Sequence, residues 1–278
     1  MADVRIALAT INMAPHFPGA LFKRLQNLLK PGESIVDTIT YAVSAGVSRH
    51  RLLQLLEGEP KPIALIGIVV RPEPDVVAAF RAIHAPVILI DESAPGATTV
   101  SVDNYLGGYV AGAHLAKLGR RRMVVVEGKI NADGDMCCIQ RLAGFKKALA
   151  DHGVVLAPDH VITCPDYSRK VGADAMDHVL KKLKGVDAIF CSAADQTAVG
   201  MLTVARDRGV RIPEDIAIIG FDDLPFAATS NPPLTTVRQP LDAMAEAAYR
   251  MATVETSDVL QKPRVVKLKP ELVVRQSA

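Results

Sequence analysis

The sequence predicts an α/β protein of two Rossmann-like lobes, each built on a parallel sheet with helices packed against it. Three observations carry that expectation. Short β-branched apolar runs alternate with amphipathic helical stretches along the whole chain. Several of the runs are apolar at every position, as strands covered on both faces must be. At 278 residues, 49% of them hydrophobic, the chain carries more elements than one small sheet can hold around a single core.

The elements follow in order. The run RIALAT predicts a strand over Arg5–Thr10, and a helical period follows over Pro18–Lys30. The β-branched Ser34–Thr40 reads as a second strand, with a helix over Arg49–Glu57. Strand Ile63–Val70, helix Asp75–Ile83 and strand Val87–Ile90 complete the first series. Val100–Asn104 marks a plausible boundary, where a strand ends and Gly107-Gly108 opens a small-residue helix over Leu106–Lys117 that permits close packing. Strand Met123–Glu127, helix Arg141–Asp151, strand His160–Thr163, helix Val171–Leu183, strand Ala188–Cys191, helix Ala198–Arg208 and strand Ile216–Phe221 make a second series. Glycines at Gly119 and Gly153 stand where a left-handed helix cap is needed.

Net charge is +2, from 32 basic and 30 acidic residues, which gives no strong field for nucleic acid or an anionic membrane. The densest basic spot, Arg120–Arg122, reads as a solvated turn before a strand. No apolar stretch approaches the roughly 20 residues that span a bilayer, and the first residues lack the pattern of a signal peptide. The cysteines, Cys137, Cys138, Cys164 and Cys191, show no zinc spacing, and the adjacent pair is poorly placed for a disulfide. A reduced, cytoplasmic protein is the simplest reading. No cofactor or metal is expected.

Enzyme motifs are missing: no GxGxxG, no phosphate-binding GxxxxGK[ST], no GxSxG and no HExxH. The segment Ser44–Ser48 followed by RHRLLQLLEG imitates the turn and second helix of a DNA-reading motif. The preceding SIVDTITY, however, reads as a strand, so a βα unit fits better.

The long loop after Ile216–Phe221 brings the reading to a family. Val102–Gly108 with Ala111, His114-Leu115 and Gly119 resembles the VDNxxGGxxAxxHLxxxGH signature of LacI/GalR-type transcriptional regulators. Arg141–Phe145, Ala188–Gly200, Ile212–Asp215 leading into Ile219–Asp223, Leu234–Pro240 and the closing Pro270–Ser277 resemble further family segments, in order along the chain. The resemblance implies a periplasmic-binding-protein-like type I core crossed three times by the chain. Its lobes would be 1–102 with 238–262 and 103–236 with 263–278. It implies a sugar-like small-molecule effector in the cleft, a homodimer whose face includes helix Asp75–Ile83, no enzymatic activity and no membrane partner. Operator DNA would be reached through an N-terminal domain that does not precede Asp3 here. The rival is a periplasmic solute-binding protein of an importer.

By the same resemblance the effector contacts are His16 and Phe17 after the first strand, Arg141 at the start of its helix, Tyr167 and Asp222; Asp91, as the strand-tip carboxylate after VILI, Asp195 in the Ala-Asp motif and Cys137 on the wall are read as further contacts. Several positions have a second reading. His16 and Tyr167 also fit solvated loops, Asp195 a loop cap, Asp222 a helix cap and Arg141 an ion pair. Asp223 is expected to be the structural member of the Asp222–Asp223 pair. Ala194 stands where sugar-responsive members often have asparagine, and the chain has no tryptophan. A common pentose or hexose is therefore in doubt, while a polyhydroxy ligand remains favoured over a greasy one.

Overall fold

Every strand tip in an open α/β sheet is a possible ligand position, so strand order comes first. A computed structural model of the chain describes residues 4–11, 16–40, 45–128 and 136–278. Its strands are β1 (Val4–Thr10), β2 (Glu33–Thr40), β3 (Ala64–Ile68), β4 (Val87–Ile90), β5 (Thr98–Val102), β6 (Met123–Glu127), β7 (Val161–Thr163), β8 (Ala188–Cys191), β9 (Ala217–Asp222), β10 (Thr235–Arg238), β11 (Val265–Leu268) and β12 (Glu271–Val273). The helices are α1 (Phe17–Leu28), α2 (Ala45–Gln54), α3 (Pro74–Ala82), α4 (Asn104–Lys117), α5 (Met136–Asp151), α6 (Arg169–Lys182), α7 (Asp195–Asp207), α8 (Pro225–Ala228), α9 (Leu241–Thr253) and α10 (Thr256–Gln261).

The chain divides into two units, Met1–Val102 with Pro240–Leu268 and Asp103–Gln239 with Lys269–Ala278. In the first, six strands lie in the order β11-β5-β4-β3-β1-β2, all parallel. Its core packs Ala7, Ala9, Leu65 and Leu89 of the sheet against Val76, Val77 and Phe80 of α3 and Leu52 of α2. The other unit orders its strands β12-β10-β9-β8-β6-β7, parallel except for the antiparallel edge strand β12. Its sheet residues Val124, Val126, Ile189 and Ile218 pack against Met176 and Val179 of α6 and Met201 and Leu202 of α7.

Three expectations need correction. Residues 265–268 were expected in the second lobe but form β11, which pairs with β5 and belongs to the first unit. The late divisions therefore fall between Gln239 and Pro240 and between Leu268 and Lys269. The second sheet is not wholly parallel, because β12 turns back along β10. Arg141 does not begin a helix: α5 starts at Met136 and places it in the second turn.

The α2 stretch is a βα unit, since β2 pairs in parallel with β1 and Leu52 is fully buried under it; Ser44 lies outside the described residues. The basic turn is a strut. Arg120 Nη2 donates to the Pro213 carbonyl at 2.6 Å, and the Arg121 and Arg122 amides donate to Asp187 at 2.8 and 3.0 Å.

Glycine sets the α4–α5 distance. A Cβ on Gly108 would stand 1.9 Å from the Arg141 carbonyl oxygen, and one on Gly144 the same distance from that of Tyr105. Only hydrogen fits at both points, so the two helices meet backbone to backbone. That contact fixes where α5 delivers the Arg141 side chain.

Candidate functional site

In both units the strand order reverses beside the first strand, between β1 and β3 and between β6 and β8. Ligands in open α/β sheets bind outside the carboxyl ends near such a reversal. In the second unit that end collects most of the predicted residues.

Arg141 is 5% exposed. Its Nε donates to Asn104 Oδ1 at 2.7 Å and its Nη1 to the Ser192 carbonyl at 2.9 Å, so the guanidinium is tied to the α4 start and to the tip of β8. Its central carbon stands 3.6 Å from the centroid of the Phe221 ring, a cation–π contact removed from water. Phe221 leads into a row of rings, 6.5 Å from Phe190, which stacks on Phe145 at 5.1 Å.

Asp222 closes β9 and is 5% exposed. Its Oδ1 accepts from Gln239 Nε2 at 2.7 Å. Its φ is 118°, and that of Asp223 is 58°. Consecutive non-glycine residues at positive φ cost energy, and such strain clusters at binding sites. Asp223 takes the structural part: it accepts from Arg275 Nη2 and from Arg238 Nε, both at 2.6 Å.

Asp195 opens α7 and is fully buried. Its Oδ2 accepts from the Leu224 amide at 3.0 Å and its Oδ1 from the Thr236 hydroxyl at 2.5 Å. Both oxygens are thus engaged within the protein, and of its two readings the loop-holding one matches this geometry. Gly220 makes room for it, since a Cβ there would lie 2.3 Å from Oδ1. Burial, and next the charge of Asp222, push the Asp195 carboxyl well above the usual carboxylate range, against the opposing pull of Thr236 and the Leu224 amide.

Tyr167 is partly exposed beyond β7, with its ring against Gly128 and its carbonyl accepting from Thr197 Oγ1 at 2.8 Å. Cys137 is half-buried in the first turn of α5; most of the loop before it, residues 129–135, lies outside the described residues.

The first unit holds the other predicted residues at its own strand ends. His16 is half-buried at the N-cap of α1, and Phe17 behind it is buried. Residues 12–15, between them and β1, lie outside the described residues. Asp91 directly follows β4, half-buried, with φ 58°.

Four residues of the second unit escaped the sequence reading. Asn104 and Gln239 sit inside the quoted family segments, and Glu127 ends the run MVVVE, so each had a signal. Glu127 is buried and accepts from Thr163 Oγ1 at 3.0 Å. Ser192 also sits inside a quoted segment, Ala188–Gly200, but its residue type gave no signal, because it contributes through its backbone carbonyl.

The arrangement is suited to holding polar atoms, with acceptors at Asp222 and Gln239, a fixed guanidinium and an aromatic floor. Burial pushes the Cys164 thiol up to about 11, with Asp166 and Glu127 adding to it, and pushes that of Cys191 further. Neither is a thiolate nucleophile at neutral pH. Among the described residues no group of three or more His, Cys, Asp or Glu could hold a metal ion, and no helix is long and apolar enough to cross a membrane.

Residues 112–278 match the family described as periplasmic binding protein-like domain. The HTH-type transcriptional repressor PurR of Escherichia fergusonii is 32% identical over 209 residues, covering 74% of this chain and 60% of that protein. PurR of Escherichia coli O1:K1 is 31% identical over the same shares. The chain thus spans about 60% of the length of these curated relatives. A LacI transcriptional regulator from a Rhodococcus species aligns over 99% of this chain and 98% of its own, with 26% identity and a TM-score of 0.80. A transcriptional regulator CelR–cellobiose complex shares the fold, with a TM-score of 0.83 at 24% identity over 99% of this chain and 84% of that one. A LacI-family regulator from Enterococcus faecium with bound ribose does so too, at 0.81 and 22% over 99% and 98%. The chain belongs to the family of periplasmic binding protein-like domains, in the form that serves LacI/GalR-type regulators as their effector-binding core.

Proposed function

We propose that the chain is the effector-sensing part of a LacI-type transcriptional repressor, and that its effector is a small metabolite rich in hydroxyl or N–H donors. One observation carries this: Asp222, an almost buried carboxylate at a strained strand tip, held by Gln239 next to the residue whose ring underlies Arg141. A carboxylate there accepts two donors from one ligand edge. The bound cellobiose and ribose of the two related regulators support a sugar or sugar derivative.

In this reading the effector contacts are Asp222, Arg141, Tyr167, Cys137, His16, Phe17 and Asp91. Asp195 acts through the loop it ties. Arg141 adds directed donors, which lysine would supply poorly. The effector works by a differential affinity for two conformations. The protein acts as a homodimer, with the exposed side of α3 in its face, and reaches operator DNA through a separate reading domain. Kinship with curated repressors favours this over an importer's solute carrier.

A thermal-shift screen of sugars, sugar acids, polyols and nucleobases tests it. A ligand should raise the melting temperature in proportion to the logarithm of its concentration above Kd. Asp222→Asn should remove that rise while leaving the unliganded protein folded. A screen without a hit, or a hit that Asp222→Asn leaves intact, counts against the reading.

A further inference from the structure

Three aspartates meet beyond the β9 tip, and their partners differ in kind. Asp223 has two guanidinium partners, Arg238 and Arg275. Asp222 has the Gln239 amide. Asp195, the most buried of the three, has one backbone amide and one hydroxyl, and among the described residues no cation bonds it. Among the described residues the charged and titratable groups that act on it are Asp222 and Asp223 at the end of β9 and the Cys191 thiol of β8; the guanidinium groups of Arg238 and Arg275 are engaged by Asp223. A carboxylate sealed from water without a counter-ion, beside two other carboxylates, is more stable as the neutral acid.

We infer that Asp195 carries its proton at neutral pH and is a pH-sensitive tie: as the neutral acid it holds the β9–α8 loop to β10, and once ionised it is driven against Asp222. The directions agree, since burial first and the Asp222 charge second favour the protonated form. Protonated, Asp195 still accepts the Leu224 amide at Oδ2, and the Thr236 bond runs the other way, from the acid O–H to the hydroxyl oxygen, so α7, the loop and β10 stay linked without an added charge. The Asp222 carboxylate then meets no added charge from Asp195. Ionised, the same side chain sets a second negative charge under the residue assigned to effector recognition, so the tip that shapes the site becomes pH-dependent. The consequence for effector affinity rests on the proposed function; the proton itself does not.

The sign follows from linkage. An acid whose folded pKa lies above its unfolded value of about 3.9 makes the folded state the better proton binder. Stability then falls as pH rises from that unfolded value and levels off above the folded one. Asp195→Asn, a neutral mimic of the acid, lacks this slope.

The test uses ligand-free protein, so its outcome is independent of the effector reading. Carbon-13 NMR of protein labelled in its aspartate side-chain carboxyls, with Asp195 assigned through its own backbone, should show Asp195 un-ionised at pH 7, apart from the ionised carboxylates of the surface. Thermal melts of wild type and Asp195→Asn should separate progressively, the variant gaining on the wild type from about pH 4 upward. An Asp195 resonance that titrates with the surface aspartates overturns the inference, as do melting curves that stay parallel across pH. Should the variant fail to fold, the wild-type titration decides alone.

Discussion

Arg141 lies with its guanidinium carbon 3.6 Å from the Phe221 ring centroid, so the cation on α5 and the end of β9 are locked face to face. The lock joins packing to recognition, because the next residue is Asp222. Phe221→Ala would open a cavity under the guanidinium and should cost about 3–5 kcal/mol, read from urea unfolding. Phe221→Leu should keep most of the fold yet free the guanidinium, and it should weaken effector binding more than it lowers stability.

Arg141→Lys tests geometry against charge. The ammonium cannot supply both the Asn104 and the Ser192 bond in fixed directions. About 2 kcal/mol of stability should go with them, near 1 kcal/mol for each bond. Affinity for a screened ligand should fall at least tenfold, measured by calorimetry.

Gly108→Ala should be among the most damaging small substitutions in the chain. The added methyl group meets the Arg141 carbonyl, which is backbone and cannot rotate away. The helices must separate, with a loss of about 3 kcal/mol or more. Gly119→Ala, with open space around its Cβ but a φ of +81°, should lose about 1 kcal/mol through backbone strain alone. Parallel denaturation curves compare the two.

Tyr249 predicts an alkaline limb. Its hydroxyl donates to Glu33 at 2.5 Å, and burial together with that carboxylate pushes it up to about 12. Folded protein therefore holds this proton better than unfolded chain, so the contribution is complete below pH 10 and fades as pH climbs toward 12. Tyr249→Phe should be less stable than wild type at pH 8 by about 1 kcal/mol, and the gap should close at high pH.

Thiol reactivity is a further check. Cys164 is buried with its pKa raised to about 11, so iodoacetamide should modify it in native protein far more slowly than in unfolded protein. Rapid native labelling of Cys164, seen by peptide mass spectrometry, would contradict its burial.

Much of this architecture is legible in the chain, for a physical reason. Val87–Ile90, Met123–Glu127 and Ala188–Cys191 are short apolar runs buried on both faces, so composition alone delimits them. The polar strands are harder. Thr98–Val102 and Thr235–Arg238 are threonine-rich, and burial satisfies them through partners distant in sequence, such as Thr236 with Asp195. Nothing local announces such a bond. Helix Leu241–Thr253 did carry a signal, since Leu241, Met244, Ala245 and Ala248 fall at helical spacing and all are buried. The position of β11 was hidden because sheet membership depends on which edge accepts a late strand.

At the site, residues that act by charge could be found by type at strand tips. The second role open to Asp195 and the part played by Ser192 depend on burial and on a backbone carbonyl, which residue identity does not encode. Asp223 is the contrary case: two guanidinium partners put it where its adjacency to Asp222 had suggested, in the framework.

The shared strand order has one more consequence. Matching β2-β1-β3-β4-β5 to β7-β6-β8-β9-β10 sets β4 against β9. Asp91, directly after β4, and Asp222, the last residue of β9, then become counterparts, each an aspartate with its φ above zero. A duplicated ancestral half would have brought one such acidic corner with each copy, and the present pair would be a paralogous inheritance rather than two separate inventions.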